Sequence, residues 1–358
     1  MNNLAKTEKK SRLLNFFPVP DFLKMKSAGI DINDHGVYFV DFFTKRGNLR
    51  PRVIIERKLP DGIVVDGDIK KREDLLLVLR SVRAEAGIGF VKASFPDEKT
   101  YFYEMPVPGD LDKTEIRNYL EFHLDENVPI NPKDTVFDFV RKGDGKSKSN
   151  VFSVCAANVK DAESYAGILR DAGFFPTGLC PSSQAAATAI HDHAEKVSIL
   201  LIFGRRRTRI SIVEDGIVSF TSIVPIGGED VIEAIRGSFN VSYEEAKKMS
   251  EDKSLMRDKT SKEHFFSTMA VISPFQEEVQ KIVSYWESRG RKSAEIKRII
   301  LLGRRSASAG FEEYISYITG KPVSIGDVWR RVFDLNKYVP SLGFRDSLEY
   351  GTAIGLAL

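Results

Sequence analysis

The sequence predicts a two-lobed α/β protein in which each lobe is a mixed sheet with helices packed on it. Three observations carry this expectation. The chain has 358 residues, too many for one ordinary hydrophobic core. Hydrophobic residues make up 42% and charged residues 29%, the balance of a folded globular protein rather than a disordered one. One order of elements, strand-turn-strand-turn-strand-helix-strand, occurs twice, although the two stretches are not close sequence repeats.

In the first half, residues 28–32 form a short strand signal that runs into the turn cluster Asn33-Asp34-His35-Gly36. Residues 37–43 are rich in β-branched and aromatic side chains and predict a second strand; Gly47-Asn48 marks a turn and 52–58 a third strand. Residues 59–68 read as a loop. Leu75, Leu79, Val82 and Ala86 recur at helical spacing up to Gly87, and 89–95 is the next strand. The order returns with strands at 197–203, 209–213 and 217–224, a helix carrying Ile232, Ile235 and Phe239, a strand at 298–302, a turn at 303–306 and a helix at 311–318.

Two insertions interrupt the halves. The first holds a helix with Ile116, Leu120 and Leu124 on one face and a capping-box start at Asp112 and Glu115. Strands at 136–140 and 151–157 follow, joined by a Gly/Ser-rich charged stretch, 142–150, that reads as exposed loop. A helix with Tyr165, Ile168, Leu169 and Ala172 stops at Gly173. The second insertion is helical, with apolar stripes Phe265, Phe266, Met269, Ile272 and, after Pro274, Val279, Ile282, Val283, Trp286. The expected division is therefore a tail and strap at 1–27; a first subdomain at 28–103, to which 180–196 and 345–358 return; an α+β module at 104–179; a second subdomain at 197–239 and 298–344; and the helical insertion at 240–297.

Composition narrows the function classes. Against 53 basic residues stand 50 acidic ones, too even a balance to demand nucleic acid. The basic clusters at 205–209, 289–292 and 304–305 lack interleaved aromatics, so no nucleic acid is expected. The two cysteines, Cys155 and Cys180, form no CxxC pair and suit a reducing compartment. Cys155 reads as a buried small hydrophobe. No apolar run reaches the roughly 18 residues of a bilayer span, and no signal core follows the polar N-terminus. The greasy segment Phe16, Phe17, Val19, Phe22, Leu23, broken by Pro18 and Pro20, reads as a strap on the first lobe, with a membrane or partner anchor as the alternative. His191-Asp192-His193 invites a metal, but its place at a helix end with no further His nearby favours structural use.

A set of short motifs in a fixed order carries a family resemblance: Gly29-Ile30-Asp31-Ile32, Asp61-Gly62-Ile63-Val64, Gly67-Asp68-Ile69 and Met105-Pro106-Val107-Pro108. Then come Leu120-Glu121-Phe122 with Val128-Pro129-Ile130, Ala172-Gly173-Phe174, Pro225-Ile226-Gly227-Gly228, Leu302-Gly303 and the ending Ala353-Ile354-Gly355-Leu356-Ala357-Leu358. In these the chain resembles the PilM family of actin-like type IV pilus assembly proteins, and more distantly FtsA, over about Ala28 to Leu358. The resemblance implies an actin-like, duplicated ribonuclease H-like fold of four subdomains. It also implies ATP and Mg²⁺ as ligands in a cleft between the lobes, and a groove beside the inserted module for a short N-terminal peptide of PilN, an inner-membrane protein. The place is then the cytoplasm, at the inner face of the inner membrane. The pilus motor ATPase and further copies of the chain itself are the other partners it suggests.

Mapped onto this sequence, the family's nucleotide contacts fall on Asp31, Asn33, Gly204, Gly227, Gly228 and Gly303, with Asp31 on the metal side through a bound water. Several depart from the family pattern. Asn33 replaces a glycine, tolerable because Asn accepts left-handed angles. Ile202 replaces the carboxylate of an Asp-Ile-Gly turn, and Arg205, Arg206 and Arg207 follow where small residues usually sit. Gly303-Arg304-Arg305 replaces three glycines, and Lys247 and Ser250 stand where the adenosine helix offers Glu and Lys. Two readings follow: a remodelled pocket whose arginines clasp phosphate, or a decayed one whose arginines face solvent or pair with acids across the cleft. The second is favoured, because phosphate sites need close backbone approach as well as charge. Hydrolysis is expected to be weak at most, since no carboxylate survives in the second turn.

For the peptide groove, Phe122, Val128, Ile130, Phe137 and Phe139 are the candidates, most of them expected in the module's own core. The leading expectation is thus a pilus assembly scaffold with degenerate nucleotide loops. The alternative is an actin-like ATPase switched by ATP and Mg²⁺. An FtsA-like membrane-tethered filament is disfavoured by the end at Leu358 without an amphipathic tail.

Overall fold

A computed structural model describes residues 27–45, 47–109, 111–142, 150–192, 196–252, 262–288 and 295–358, with the side chains of 262–267 and 269–270 outside the description. The strap expected before Ser27, His193, the basic cluster at 289–292 and the stripe residues Phe265, Phe266 and Met269 lie outside the described residues.

The first lobe opens with β1 (Ala28–Ile32), β2 (Gly36–Lys45), β3 (Asn48–Lys58) and a small hairpin of β4 (Val64–Val65) and β5 (Asp68–Ile69). Helix α1 (Arg72–Ala86) leads to β6 (Phe90–Phe95). The inserted module comprises β7 (Thr100–Pro106), α2 (Lys113–Phe122), α3 (Leu124–Asn127), β8 (Thr135–Arg141) and β9 (Val151–Asn158). Helix α4 (Val159–Asp171), β10 (Phe175–Pro181) and α5 (Ser182–Ile190) return to the first lobe. The second lobe holds β11 (Val197–Phe203), β12 (Thr208–Glu214), β13 (Ile217–Val224), α6 (Gly228–Phe239), α7 (Tyr243–Asp252), α8 (Lys262–Glu287), β14 (Arg298–Leu302), α9 (Phe311–Thr319) and β15 (Val323–Ile325). Helices α10 (Phe344–Ser347) and α11 (Gly351–Ala357) close the chain.

The two five-stranded sheets have one topology. The first reads β3-β2-β1-β6-β10 and the second β13-β12-β11-β14-β15. In each, three antiparallel strands are followed by two parallel ones. Parallel additions need a crossover connection, supplied by α1 and α4 in the first lobe and by α6 to α8 and α9 in the second. The central strand β11, Val-Ser-Ile-Leu-Leu-Ile-Phe, is buried along its whole length, as strands covered on both faces are. Helix α1 buries Leu75, Leu79, Val82 and Ala86 and ends at Gly87, whose φ of 67° is the left-handed cap glycine supplies.

Three cores result. One lies under each lobe's outer helices. The third is sandwiched between the sheets, with Tyr38 and Val40 from β2, Leu200 and Ile202 from β11, Ala186 and Ala189 from α5, and Ala353 and Ile354 from α11. Here backbone meets backbone. A Cβ on Gly29 would stand 1.9 Å from the Ala353 carbonyl oxygen, and one on Gly355 would stand 1.7 Å from that of Ala185. Only glycine fits at either place.

Several local expectations change. The stretch 59–68 is not plain loop: it folds the β4-β5 hairpin, with Asp66 and Gly67 both at positive φ, the pair a tight primed turn requires. The helix at Ile116 breaks at His123 into α2 and α3, so Leu124 begins a new turn. Helix α8 runs unbroken through Pro274. The module is smaller than 104–179, because α4 packs Tyr165, Ile168 and Leu169 into the first lobe's core and β10 pairs with β6. What stands apart is the three-stranded sheet β7-β9-β8 with α2 and α3.

The sharpest change is at Lys142, expected in an exposed loop. It is 8% exposed, and its ammonium donates to Glu104 at 2.5 Å, to Ser219 Oγ at 2.9 Å and to Glu214. Glu104 belongs to the module; Glu214 and Ser219 belong to β12 and β13. Ser153 Oγ on β9 adds a bond to the Val218 carbonyl at 2.9 Å. The module is therefore clasped to the second lobe by a buried ion cluster. Removing one partner from such a cluster strands the rest as buried charge. Lys142→Met is expected to lower stability by about 3–5 kcal/mol, read by thermal melting. Combining it with Glu104→Gln and Glu214→Gln should return most of the loss. An unchanged melting temperature in the single variant would contradict the clasp.

Candidate functional site

Three turns meet where the lobes face each other. The first joins β1 to β2. Asn33 Oδ1 accepts from the amides of His35 at 2.9 Å and Gly36 at 3.0 Å, while its Nδ2 donates to Asp31 Oδ2 at 3.0 Å. Asn33 thus stands in for glycine by building an Asx turn, not by adopting a positive φ; only Asp66, Asp215 and Asn240 do so among described non-glycine residues. Beneath it Asp31 is 2% exposed, and its Oδ1 has no hydrogen-bond partner. Burial pushes this carboxyl above its usual range, against the pull of Ser94, Arg209 and Asn33.

The second turn joins β11 to β12. Its first amide, and two at the start of α6 that face it, are taken by the protein. Gly204 N donates to the Arg207 carbonyl at 2.9 Å, Gly228 N to the Gly204 carbonyl at 3.0 Å and Glu229 N to the Arg205 carbonyl at 2.8 Å. A Cβ on Gly227 would lie 2.4 Å from the Arg205 oxygen, and one on Gly228 would strike the Arg305 side chain. The third turn follows β14. Gly303 N donates to the Leu348 carbonyl at 3.3 Å and Arg304 N to Glu349 Oε1 at 2.9 Å. A Cβ on Gly303 would lie 2.4 Å from the Phe203 oxygen. At all three turns the glycines make room for neighbouring protein atoms.

Arginines of the second lobe cross to acids of the first. Asp61 accepts from Arg205 at 3.0 Å and Arg206 at 2.9 Å, and Arg207 pairs with Asp66. Deeper in, Arg209 stands 3.5 Å from Asp97, which also accepts from Ser183 N and Oγ. Burial works against the Arg209 charge, but Asp97 and Glu98 outweigh it and hold its pKa above the ordinary value. Arg205 also bonds Glu229 at 3.0 Å, and Arg304 reaches Asp346 at 3.2 Å and Glu56 at 3.6 Å. The mouth pairs are half exposed and individually weak. The Arg209 pair is enclosed.

This network divides the cleft. The inner part, between Asn33, Asp66, Glu98 and Arg207, retains only about 40 Å³. The outer part, between His35, Lys58, Lys247, Arg305 and Arg345, opens to about 470 Å³. Burial pushes the His35 imidazole below its usual pKa, so at neutral pH it brings no charge. Lys247 faces this outer space, whereas Ser250 is buried and donates to the Lys247 carbonyl at 2.7 Å.

A second concavity of about 240 Å³ lies between the module and the first lobe, lined by Phe95, Val136, Phe137, Cys155, Ala157 and Leu179. It runs between two edge strands, β8 of the module and β10 of the first sheet. Of the residues expected here, Phe137 lines it. Val128 is buried in the module core with Leu120 and Leu124, Ile130 and Phe139 pack on that core, and Phe122 is 79% exposed on α2. Cys155 is half-buried on the groove wall rather than fully enclosed, with burial lifting its thiol to about 11.

Residues 29–358 match the family model described as type IV pilus assembly protein PilM. The chain belongs to the PilM family. Among solved structures it is similar to a PilM-PilN type IV pilus biogenesis complex, at 17% identity and a TM-score of 0.75, covering 93% of this chain and 98% of that one. It is also similar to ethanolamine utilization protein EutJ from Carboxydothermus hydrogenoformans (17%, TM-score 0.53, 98% and 97%) and to MreB5 of Spiroplasma citri bound to ADP (12%, TM-score 0.54, 92% and 94%). No curated protein matches the chain. The fold of this PilM-family chain is therefore actin-like and two-lobed. Among the described residues no helix is long and apolar enough to cross a membrane, and no cluster of His, Cys, Asp and Glu suits a metal. Of the His191-Asp192-His193 stretch, Asp192 pairs with Arg330 at 2.5 Å.

Sequence reasoning offered acids across the cleft as partners for the arginines but did not say which, although Asp61 lies in a quoted family motif and Asp97-Glu98 directly follows a strand and proline. It also missed the groove-lining strand ends, which only the pairing of β10 with β6 brings opposite the module.

The state of Asp31 gives a pH test. Its folded pKa is raised, so the neutral form suits the fold. The stability it contributes is present below the unfolded carboxyl pKa and lost as pH rises through the folded value. Raising the pH to 7 therefore works against the fold at this position. Asp31→Asn is expected to raise the melting temperature at pH 7, by about 1–3 kcal/mol equivalent, with the gap closing below about pH 4. A lower melting temperature at pH 7 would overturn this.

Proposed function

We propose that this chain is a scaffold of type IV pilus assembly that docks a short peptide of a PilN-like inner-membrane protein in the groove between module and first lobe, working in the cytoplasm at the inner membrane. The groove carries the reading. It is apolar, bounded by Phe95, Phe137, Ala157 and Leu179, and flanked by two strands that lie at the edges of their sheets among the described residues. An extended peptide gains main-chain bonds from such an edge and selectivity from the apolar wall. The similarity to a PilM-PilN complex supports the choice of partner.

The family's Mg²⁺ and ATP fit poorly. The amides of His35, Gly36, Gly204, Gly228 and Gly303 are bonded to protein oxygens, the space beside the glycines is filled by neighbouring atoms, and Ile202 offers no carboxylate. This crowding supports degenerate nucleotide loops and a scaffold rather than an ATPase. One observation favours the alternative of a nucleotide-switched ATPase: the buried Asp31 Oδ1 has no partner, as an oxygen kept for a metal-bound water would have none.

Calorimetry separates the readings. A peptide from the N-terminus of the chain's own PilN-like partner is expected to bind one to one, and Val136→Asp, at an exposed groove-lining position, to weaken it at least tenfold without lowering the melting temperature. Absence of specific binding ends the scaffold reading. Micromolar binding of ATP with Mg²⁺, lost in Asp31→Ala, would establish the switch instead.

A further inference from the structure

Two aromatic side chains lie open at one end of the first sheet. Phe90 starts β6 and Phe175 starts β10, and they are 44% and 59% exposed. The two are paired in register, and their rings stand 5.5 Å apart. A single exposed apolar residue is ordinary, but two adjoining rings make a surface. That surface is held from behind. Phe175 N donates to the Gly89 carbonyl at 2.8 Å, and a Cβ on Gly89 would lie 3.0 Å from the Phe175 ring. The Arg83 guanidinium lies 3.5 Å from the same Cβ position. It donates to the Gly173 carbonyl at 2.9 Å and has no acid partner among the described residues. The chain itself enters the fold here. Ala28 pairs with Val91, and Val91 with Pro176, so Ser27 stands level with Phe90 and Phe175. Ahead of Ser27 run 26 residues, among them Phe16, Phe17, Val19, Asp21, Phe22 and Leu23. They precede the stretch that matches the PilM family model, 29–358. Crossing from β1 to β10 takes two strand spacings, about 10 Å. The five residues from Phe22 to Ser27 reach up to about 17 Å when extended, and Pro18 and Pro20 favour extended angles at Phe17 and Val19.

We propose that residues 16–23 fold back over Phe90 and Phe175 as an intramolecular strap, with Asp21 meeting Arg83. This gives the strap expected on the first lobe a place. The occupant is the chain's own segment because its tether ends beside the patch. A tethered segment meets its site at an effective concentration on the order of millimolar, which a free partner would have to match. Apolar rings cover apolar rings, and one carboxylate answers one guanidinium. The proposed peptide groove uses the opposite end of β10, at Leu179 and Pro181, so this inference does not rest on peptide docking.

Trypsin cleavage after Lys24, followed by mass spectrometry in the full chain, reads the strap. Cleavage there is expected to be at least tenfold slower than in a free peptide of residues 1–30. Phe90→Ser with Phe175→Ser should restore most of the peptide rate, while cleavage elsewhere in the chain stays unchanged. Phe22→Ser with Leu23→Ser, compared with its own matching peptide, should do the same from the other side. All four changes together should add little, because each pair removes the same contact. Phe122→Ser, at an exposed aromatic on α2, should leave the protection intact. Peptide-like cleavage in the unaltered chain, or protection that survives the Phe90 and Phe175 changes, would overturn the strap. Protection that grows with protein concentration would overturn it too, by placing a second copy on the patch.

Discussion

The contact between the helix Gly351–Ala357 and its two neighbours sets the geometry of the rest. Where Gly29 meets Ala353 and Gly355 meets Ala185, no side chain stands between the backbones. Side-chain layers can repack by small rotamer changes, but backbone pressed on backbone leaves little slack. The seam therefore fixes the angle and separation of the two sheets. That separation in turn places the turn at Asn33 opposite the turn at Gly204. The cleft is a product of the seam, and the ionic contacts across it are possible only at the spacing the seam imposes.

Within that spacing, the chain fills its cleft with its own groups. The turn amides bond to carbonyls, and arginines bridge the lobes. The exposed pairs at Asp61 and Asp66 contribute little individually, since two mobile side chains must be ordered in water for each. The enclosed Arg209, held by Asp97 and Glu98, is better understood as fixing register than as adding stability, because desolvation consumes much of its Coulombic gain. The same logic applies at Lys142, whose two carboxylates come from different parts of the fold. Charge here specifies which surfaces meet, and the apolar cores supply the driving force.

The repeated strand order was readable because it depends on local pattern. The strands at 197–203, 217–224 and 298–302 appear at those bounds, since buried β-branched runs between turn residues leave few alternatives. Gly87, Gly173 and the capping box at Asp112 were equally local signals. What could not be read was set by distance along the chain. Lys142 looks like any lysine at the head of a polar loop, and its burial follows from partners 38 and 72 residues away. The role of Asn33 was half legible: its type suits the turn, but the side-chain bonds that close the turn depend on where Asp31 lies. The groove was displaced for a similar reason. Aromatic residues close in sequence, Phe122, Phe137 and Phe139, suggested a cluster; Phe137 and Phe139 do share a face of β8 and stack with ring centroids 6.4 Å apart, but Phe122 stands exposed on α2 and the far wall of the groove belongs to Leu179.

The module's attachments bear on how a docked segment would be felt. Strand β9 runs straight into the helix Val159–Asp171, which is packed in the first lobe. On the opposite side Lys142 and Ser153 tie the module to β12 and β13. The groove is thus formed between two bodies that are each anchored elsewhere, so its width is coupled to the angle between the lobes. The Lys142 cluster is therefore the contact that holds the module side of the groove in place relative to the second lobe.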